Sequence, residues 1–137
     1  MSDFQDSRTA GKILHDNKVV AVVGLSDKPD RPSYRVAEYL QQSGYKIIPV
    51  NPRISEVLGE KAYPDLESIP VDVDVVDVFR RSEEVLPIVK SAIAIGAKAV
   101  WLQEGIYNEE AAKLAEEAGI DFIMGLCMLQ EHSRHGS

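Results

Sequence analysis

The chain has 137 residues, 45% hydrophobic and 27% charged, with a formal net charge of −7, a size and composition that suit one globular domain spanning residues 1–137. No run approaches the ~20 consecutive apolar residues of a membrane helix, and the acidic, polar opening MSDFQDSRTAGKIL lacks the basic-then-apolar order of a signal peptide, so a cytoplasmic protein with no membrane role is expected. The negative balance argues against nucleic acid as a partner, because affinity for its backbone comes largely from neutralising phosphates, and the single cysteine, Cys127, excludes an internal disulfide and a cysteine zinc site.

An N-terminal helix within residues 1–16, from about residue 6, precedes the first strand. From residue 18 an apolar run, a loop and a stretch of helical spacing repeat in turn. The apolar runs are 19–23, 45–50, 73–79, 98–102 and 120–124. Each is short, rich in β-branched residues and nearly continuous, as strands buried on both faces of a parallel sheet must be. The intervening helices are predicted at 33–43, with Ser33 as N-cap and Gly44 past the end, and at 82–95, opening on Ser82 and stopping at Gly96. A third is predicted at 108–118, with Asn108 as cap and Gly119 at the end. Residues 52–70 read as a loop with one helical turn near 66–68, and residues 133–137 as a flexible tail. Strands alternating with helices imply right-handed crossovers and a Rossmann-like, doubly wound parallel sheet of about five strands in three α/β/α layers. Ligands of such sheets bind beyond the carboxyl ends of the strands, where the strand order reverses.

The first strand ends in Val23-Gly24-Leu25-Ser26, and a long polar loop then leads to the helix near Ser33. Glycine permits close backbone approach there, and the first N–H groups of the helix make an anion site. The loop holds one glycine and is not a G-x-G-x-x-G dinucleotide fingerprint. Lys28, Arg31, Arg35, Arg53, Arg80 and Arg81 all fall at the same predicted sheet edge, six of the fifteen Lys and Arg residues. On an acidic chain they form an electrostatic funnel for an anionic ligand. The second strand ends Pro49-Val50-Asn51-Pro52-Arg53, with arginine near the place where an NAD site carries an acid. That choice suits a ligand with an extra ribose phosphate, which describes both NADP and coenzyme A.

At these residues the chain resembles the stand-alone CoA-binding proteins related to the N-terminal CoA-binding domain of the succinyl-CoA synthetase α subunit. The resemblance runs from about residue 13 to 132. It rests on Val-Gly-Leu-Ser at 23–26, Arg-Pro-Ser-Tyr at 31–34, Gly-Tyr at 44–45, Pro-Val-Asn-Pro at 49–52, Asp-Val-Phe-Arg at 77–80 and Trp-Leu-Gln-Glu-Gly-Ile at 101–106. It implies that the loop from Ser26 to Tyr34, with Lys28, Arg31 and Ser33, holds phosphates and that Arg53 lies near the ribose phosphate, with Gly24, Asn51 and Pro52 also among the expected cofactor-binding residues. It also implies Phe79 beside the adenine with Arg80 following, and Gln103, Glu104 and Gly105 along the pantetheine arm. It does not extend to the second domain that carries the synthetase's phosphorylated histidine, so ligase activity is not expected. The stand-alone relatives commonly have a basic residue before the cysteine of the C-terminal segment, where this chain has Gly125-Leu126.

No nucleophile with its base, and no metal-ligand spacing among His15, His132 and His135, stands out. Cys127 follows the last strand and reads first as a small buried hydrophobe, since free cysteines usually pack that way. Exchange with a CoA thiol is the sharper alternative. Asp72 and Asp74 read as solvated loop carboxylates, whereas Asp77, near a strand's carboxyl end, could organise Arg80 or ligand hydroxyls. The expected function is a non-catalytic module that binds CoA or an acyl-CoA, with a protein partner or homo-oligomer left open. The competing readings are an NADP-dependent oxidoreductase and a small CoA- or thiol-dependent enzyme using Cys127.

Overall fold

A computed structural model describes residues 4–135. Helix α1 (Ser7–Asp16) starts at Asp6, whose side chain accepts from Arg8 N at 3.0 Å. The strands β1 (Val19–Val23), β2 (Lys46–Val50), β5 (Val75–Val78), β6 (Ala99–Leu102) and β7 (Asp121–Ile123) form one five-stranded sheet of order β2-β1-β5-β6-β7, parallel throughout. This is the Rossmann-like, doubly wound α/β fold expected from the alternation of apolar runs and helical spacing. Pro49 is accommodated in β2 because that strand lies at the sheet's edge.

Both faces of the sheet are covered. One core joins Ala21, Val76, Val78 and Val100 to α3 (Val85–Ala94) and α4 (Glu109–Glu117); the other joins Val20, Val22, Val75 and Trp101 to α1, α2 (Pro32–Gln42) and α5 (Met128–Arg134). Neighbouring residues of a strand point to opposite faces, which is why the strand sequences are apolar without alternation. The order reverses at β1, which has β2 on one side and β5 on the other. The connections that leave the carboxyl ends of β1 and β5 therefore run to opposite sides and open a crevice, as the rule for open sheets requires.

Several local expectations are corrected. Ser33 is not the cap of α2: Arg31 holds that position, Pro32 begins the helix, and Ser33 is buried with its Oγ accepting from Ser26 N at 3.0 Å. Ser82 opens a 3-10 turn, Ser82–Glu84, ahead of α3, and its Oγ accepts from Tyr107 N at 3.0 Å instead of capping a helix. Asn108 does cap α4, accepting from Ala111 N at 2.9 Å. The 52–70 segment contains the foreseen turn, Leu66–Ser68, and also an unforeseen antiparallel ribbon of β3 (Glu56–Val57) and β4 (Glu60–Lys61). Leu58 and Gly59 join its strands at φ 55° and 76°, the turn geometry that matches strand twist. Residues expected in a tail from 133 lie within α5 as far as Arg134; the remainder at 136–137 falls outside the described residues.

Candidate functional site

The crevice is set by Gly24. Its φ is +87°, and a Cβ built on it would stand 2.6 Å from the Phe79 carbonyl oxygen. Glycine alone lets the ends of β1 and β5 come this close. The ladder continues past both strand ends, with Gly24 N donating to Val50 O and Phe79 N to Val23 O, each at 2.9 Å.

Beyond Gly24 the loop is held by its own polar side chains. Asn51 Nδ2 donates to Leu25 O at 3.0 Å, and Asn51 Oδ1 accepts from Arg53 N at 2.9 Å. Ser26 Oγ accepts from Lys28 N at 3.1 Å, while Ser33 Oγ holds Ser26 N. Gly24, Ser26, Lys28, Arg31, Ser33, Asn51, Arg53 and Phe79 consequently line one cavity of about 580 Å³. A second, of about 510 Å³, shares Gly24, Asn51, Arg53 and Phe79 with it and adds Pro52, Arg80 and Arg81. A third, of about 610 Å³, runs from Phe79 and Arg80 along Gln103, Glu104, Gly105 and Ile106 to Cys127. Phe79 is common to all three, so they meet at the switch point.

Thirteen of the expected site residues line these cavities: Gly24, Ser26, Lys28, Arg31, Ser33, Asn51, Pro52, Arg53, Phe79, Arg80, Gln103, Glu104 and Gly105. Tyr34 lines none of them and packs against the core between the sheet and α2. Arg35 is exposed on α2, away from these walls. Arg80 and Arg81 are not free cations. Glu84 accepts from Arg80 Nε at 2.9 Å through one oxygen and from Arg81 NH2 at 2.8 Å through the other. These bonds, Arg81's first, lower the pKa of the shared carboxylate below the ordinary glutamate value. Arg81 is held above its ordinary value by the same partner.

Asp77 does not organise Arg80. It is fully buried, its Oδ1 accepts from Gln103 Nε2 at 2.5 Å, and Gln103 Oε1 accepts from Met128 N at 3.3 Å. Burial pushes the Asp77 carboxyl up to about 7, opposed by the Gln103 bond. Asp74 is likewise engaged, not merely solvated: its Oδ2 accepts from the Lys18 and Val19 N–H groups at the start of β1, which lower its pKa against the effect of burial.

Cys127, read first as a small buried hydrophobe and alternatively as a partner for a CoA thiol, is half-buried on the wall of the third cavity. One feature escaped the sequence. A further, mainly apolar cavity of about 530 Å³ lies on the α3 side of the switch point, walled by Val23, Val50, Pro52, Leu66, Pro87 and Ile88 and joined to the others through Arg80. It assembles segments distant in the chain, so no local pattern announced it.

Comparison with known proteins shows the family and the fold. A model of the CoA binding domain family matches residues 18–133. The YneT protein of Bacillus subtilis is 45% identical over 122 residues, covering 89% of this chain and 90% of that protein. The ADP-forming acetate–CoA ligase II of Archaeoglobus fulgidus is 32% identical over 101 residues. Those residues are 72% of this chain but 15% of the ligase, so the chain spans a small part of that relative. Among solved structures, a hypothetical protein from Pyrococcus horikoshii OT3 superposes with a TM-score of 0.92 at 39% identity, with both chains covered in full.

Proposed function

The chain belongs to the CoA binding domain family, and from that premise we propose that it binds coenzyme A or an acyl-CoA across the carboxyl ends of β1, β2, β5 and β6, as one module without bond-making chemistry of its own. The observation that carries the reading is the meeting of three cavities at Phe79, one basic, one basic and polar, and one running to Gln103–Ile106 and Cys127. A nucleotide with a pyrophosphate, a ribose phosphate and a long neutral arm has the same division of chemistry.

Gly24 supports the fit indirectly, since the missing Cβ lets the Phe79 backbone close against β1 and so sets the floor of the crevice at the switch point. Lys28 and Arg31, on the loop organised by Ser26 and Ser33, supply charge for the pyrophosphate. Arg53, exposed and with its backbone N–H held by Asn51 Oδ1, suits the ribose phosphate, and Phe79 offers a ring to the adenine side. Gln103, Glu104 and Gly105 border the arm. CoA itself would bring the thiol and any acyl group; the residues named here bind and orient it. Ligase chemistry is not carried over, because the matched segment is a small fraction of the ligase's length. On this reading the module acts as a carrier, a sensor or a partner of an enzyme, since no nucleophile paired with a base stands at the site among the described residues.

Calorimetric titration with CoA, acetyl-CoA, dephospho-CoA, NADP and NAD tests the reading, after mass spectrometry of the purified protein for co-purified ligand. CoA and acetyl-CoA are expected to bind, with NADP and NAD silent. NADP binding with CoA silent would replace the module by a reductase.

A further inference from the structure

Of the six basic residues at the carboxyl edge of the sheet, only Arg80 and Arg81 have a carboxylate partner among the described residues, and it is the same one, Glu84. The sharing has a local cause. The 3-10 turn Ser82–Glu84 brings Glu84 back over the two arginines, at spacings of four and three residues. The turn is pinned from another segment: Ser82 Oγ accepts from Tyr107 N at 3.0 Å, and Ser82 O from Asn108 Nδ2 at 2.9 Å. Glu84 Oε1 accepts from Arg80 Nε at 2.9 Å, and Oε2 from Arg81 Nη2 at 2.8 Å and Nε at 3.3 Å. All three side chains line the second cavity, where Arg53 adds a guanidinium that has no partner among the described residues.

We propose that Glu84 is the resting occupant of a phosphate clamp made by Arg53, Arg80 and Arg81, and that the ribose phosphate of the ligand displaces it. Glu84 thereby sets the selectivity of the cavity for a doubly charged phosphate monoester over singly charged phosphates. The proposal rests on the CoA reading above.

Two guanidiniums bridged by the oxygens of one carboxylate are already set around an oxyanion, and a phosphate offers the same fork with more charge. Three guanidiniums against one carboxylate leave the cavity two positive charges in excess. That suits a phosphate monoester, which carries about −1.5 to −2 at pH 7, whereas each phosphate of a pyrophosphate diester carries a single charge. A singly charged anion gains no more from the arginines than the carboxylate it would replace, so only greater charge favours the exchange. Arg80 gives up one contact, its Nε bond, because both of its terminal amino groups are without a partner among the described residues. The contacts to be broken are part-exposed ion pairs, which are weak in water. Once released, the carboxylate is not stranded. Glu84 is partly open to solvent and immediately precedes α3, where the positive end of the helix dipole favours a negative charge.

The test is calorimetry of CoA and dephospho-CoA with the wild type, Glu84→Gln and Glu83→Gln. Glutamine keeps the shape and one acceptor oxygen of Glu84 and removes the charge that competes with phosphate. Glu84→Gln should tighten CoA about fivefold more than dephospho-CoA, the scale of one or two exposed ion pairs that no longer have to be broken. Glu83→Gln controls for charge alone. It removes the same charge one residue away, at an exposed side chain that bonds neither arginine among the described residues and lies outside the second cavity. There the ratio of the two affinities should stay within about twofold of the wild type. An unchanged ratio in Glu84→Gln, a weaker affinity for CoA, or equal shifts in both variants would overturn the clamp and leave CoA binding standing. If the wild type binds neither nucleotide, the CoA reading fails and the clamp falls with it. The Arg80 Nε–H signal in the NMR spectrum of the wild type gives a readout without any variant. Saturating CoA should move it from its carboxylate-bonded position and saturating dephospho-CoA should not; any other pattern refutes displacement by the ribose phosphate.

Discussion

Replacing Gly24 by alanine tests the central claim that the switch point exists because two backbones touch. Gly24 has φ +87°, and a left-handed conformation costs a non-glycine residue about 1–2 kcal/mol. The new Cβ would also meet the Phe79 carbonyl oxygen at 2.6 Å and Arg80 Cδ at 3.0 Å. The arginine can swing away, but the carbonyl belongs to a backbone tied to β1 by the bond from Phe79 N to Val23 O at 2.9 Å. Relief requires the strand ends to part and weakens that bond, worth about 1 kcal/mol, together with neighbouring packing. A total of about 3–4 kcal/mol is expected. Gly44 is the control, because its φ is +101° and a Cβ there would meet nothing within 4 Å. Gly44→Ala should cost only the conformational part, about 1–2 kcal/mol. Urea unfolding at neutral pH measures both, and equal losses in the two variants would refute the close-approach argument.

Other outcomes follow from single side chains. Arg53→Glu should weaken CoA by at least tenfold more than dephospho-CoA in calorimetry, whereas equal weakening would remove Arg53 from the ribose phosphate. Trp101→Phe should cost about 2 kcal/mol in urea unfolding, since the buried indole donates to Leu126 O at 2.8 Å and its loss leaves that carbonyl unpaired. A cost under about 0.5 kcal/mol would mean that the turn before Cys127 is held by other means. The His132 pKa is lowered by burial and then by Lys18, so the fold favours the neutral ring. Its contribution to stability is present above the unfolded value of about 6.5 and is lost as the pH falls from there toward the lower folded value. His132→Phe should flatten the part of the stability–pH curve just below neutrality, measured by urea unfolding at closely spaced pH values; an unchanged curve would assign that slope to other groups.

The strands and long helices were legible because their causes are local. Val19–Val23 is β-branched and unbroken, Asn108 is followed by Glu109 and Glu110, and glycines stand at 96 and 119 where α3 and α4 have ended. The basic residues could be assigned to one edge because each follows a strand's carboxyl end, and a parallel sheet brings those ends together. The departures have a common cause in polar groups recruited by distant partners. Ser33 and Ser82 looked like helix caps, but each hydroxyl is taken by a backbone N–H from another segment, Ser26 in one case and Tyr107 in the other. The end of helix α5, at 133–134, was read as tail because so short a helix, seven residues in all, carries little propensity signal. It is held by Met128 and His132 buried against α2 and the sheet, and by Glu131 reaching Ser7 of α1.

The sequence by itself determined the order of the five sheet strands, the parallel sheet and the charge gathered at its carboxyl edge, since periodicity, β-branching and the position of Arg and Lys after β1, β2 and β5 are properties of short windows. Only the tertiary structure decided the contact of Gly24 with Phe79, the apolar cavity beside Arg80 and the burial of Asp77 Oδ2 without a partner among the described residues, because close approach, concavity and desolvation arise between segments that become neighbours only when the chain has folded.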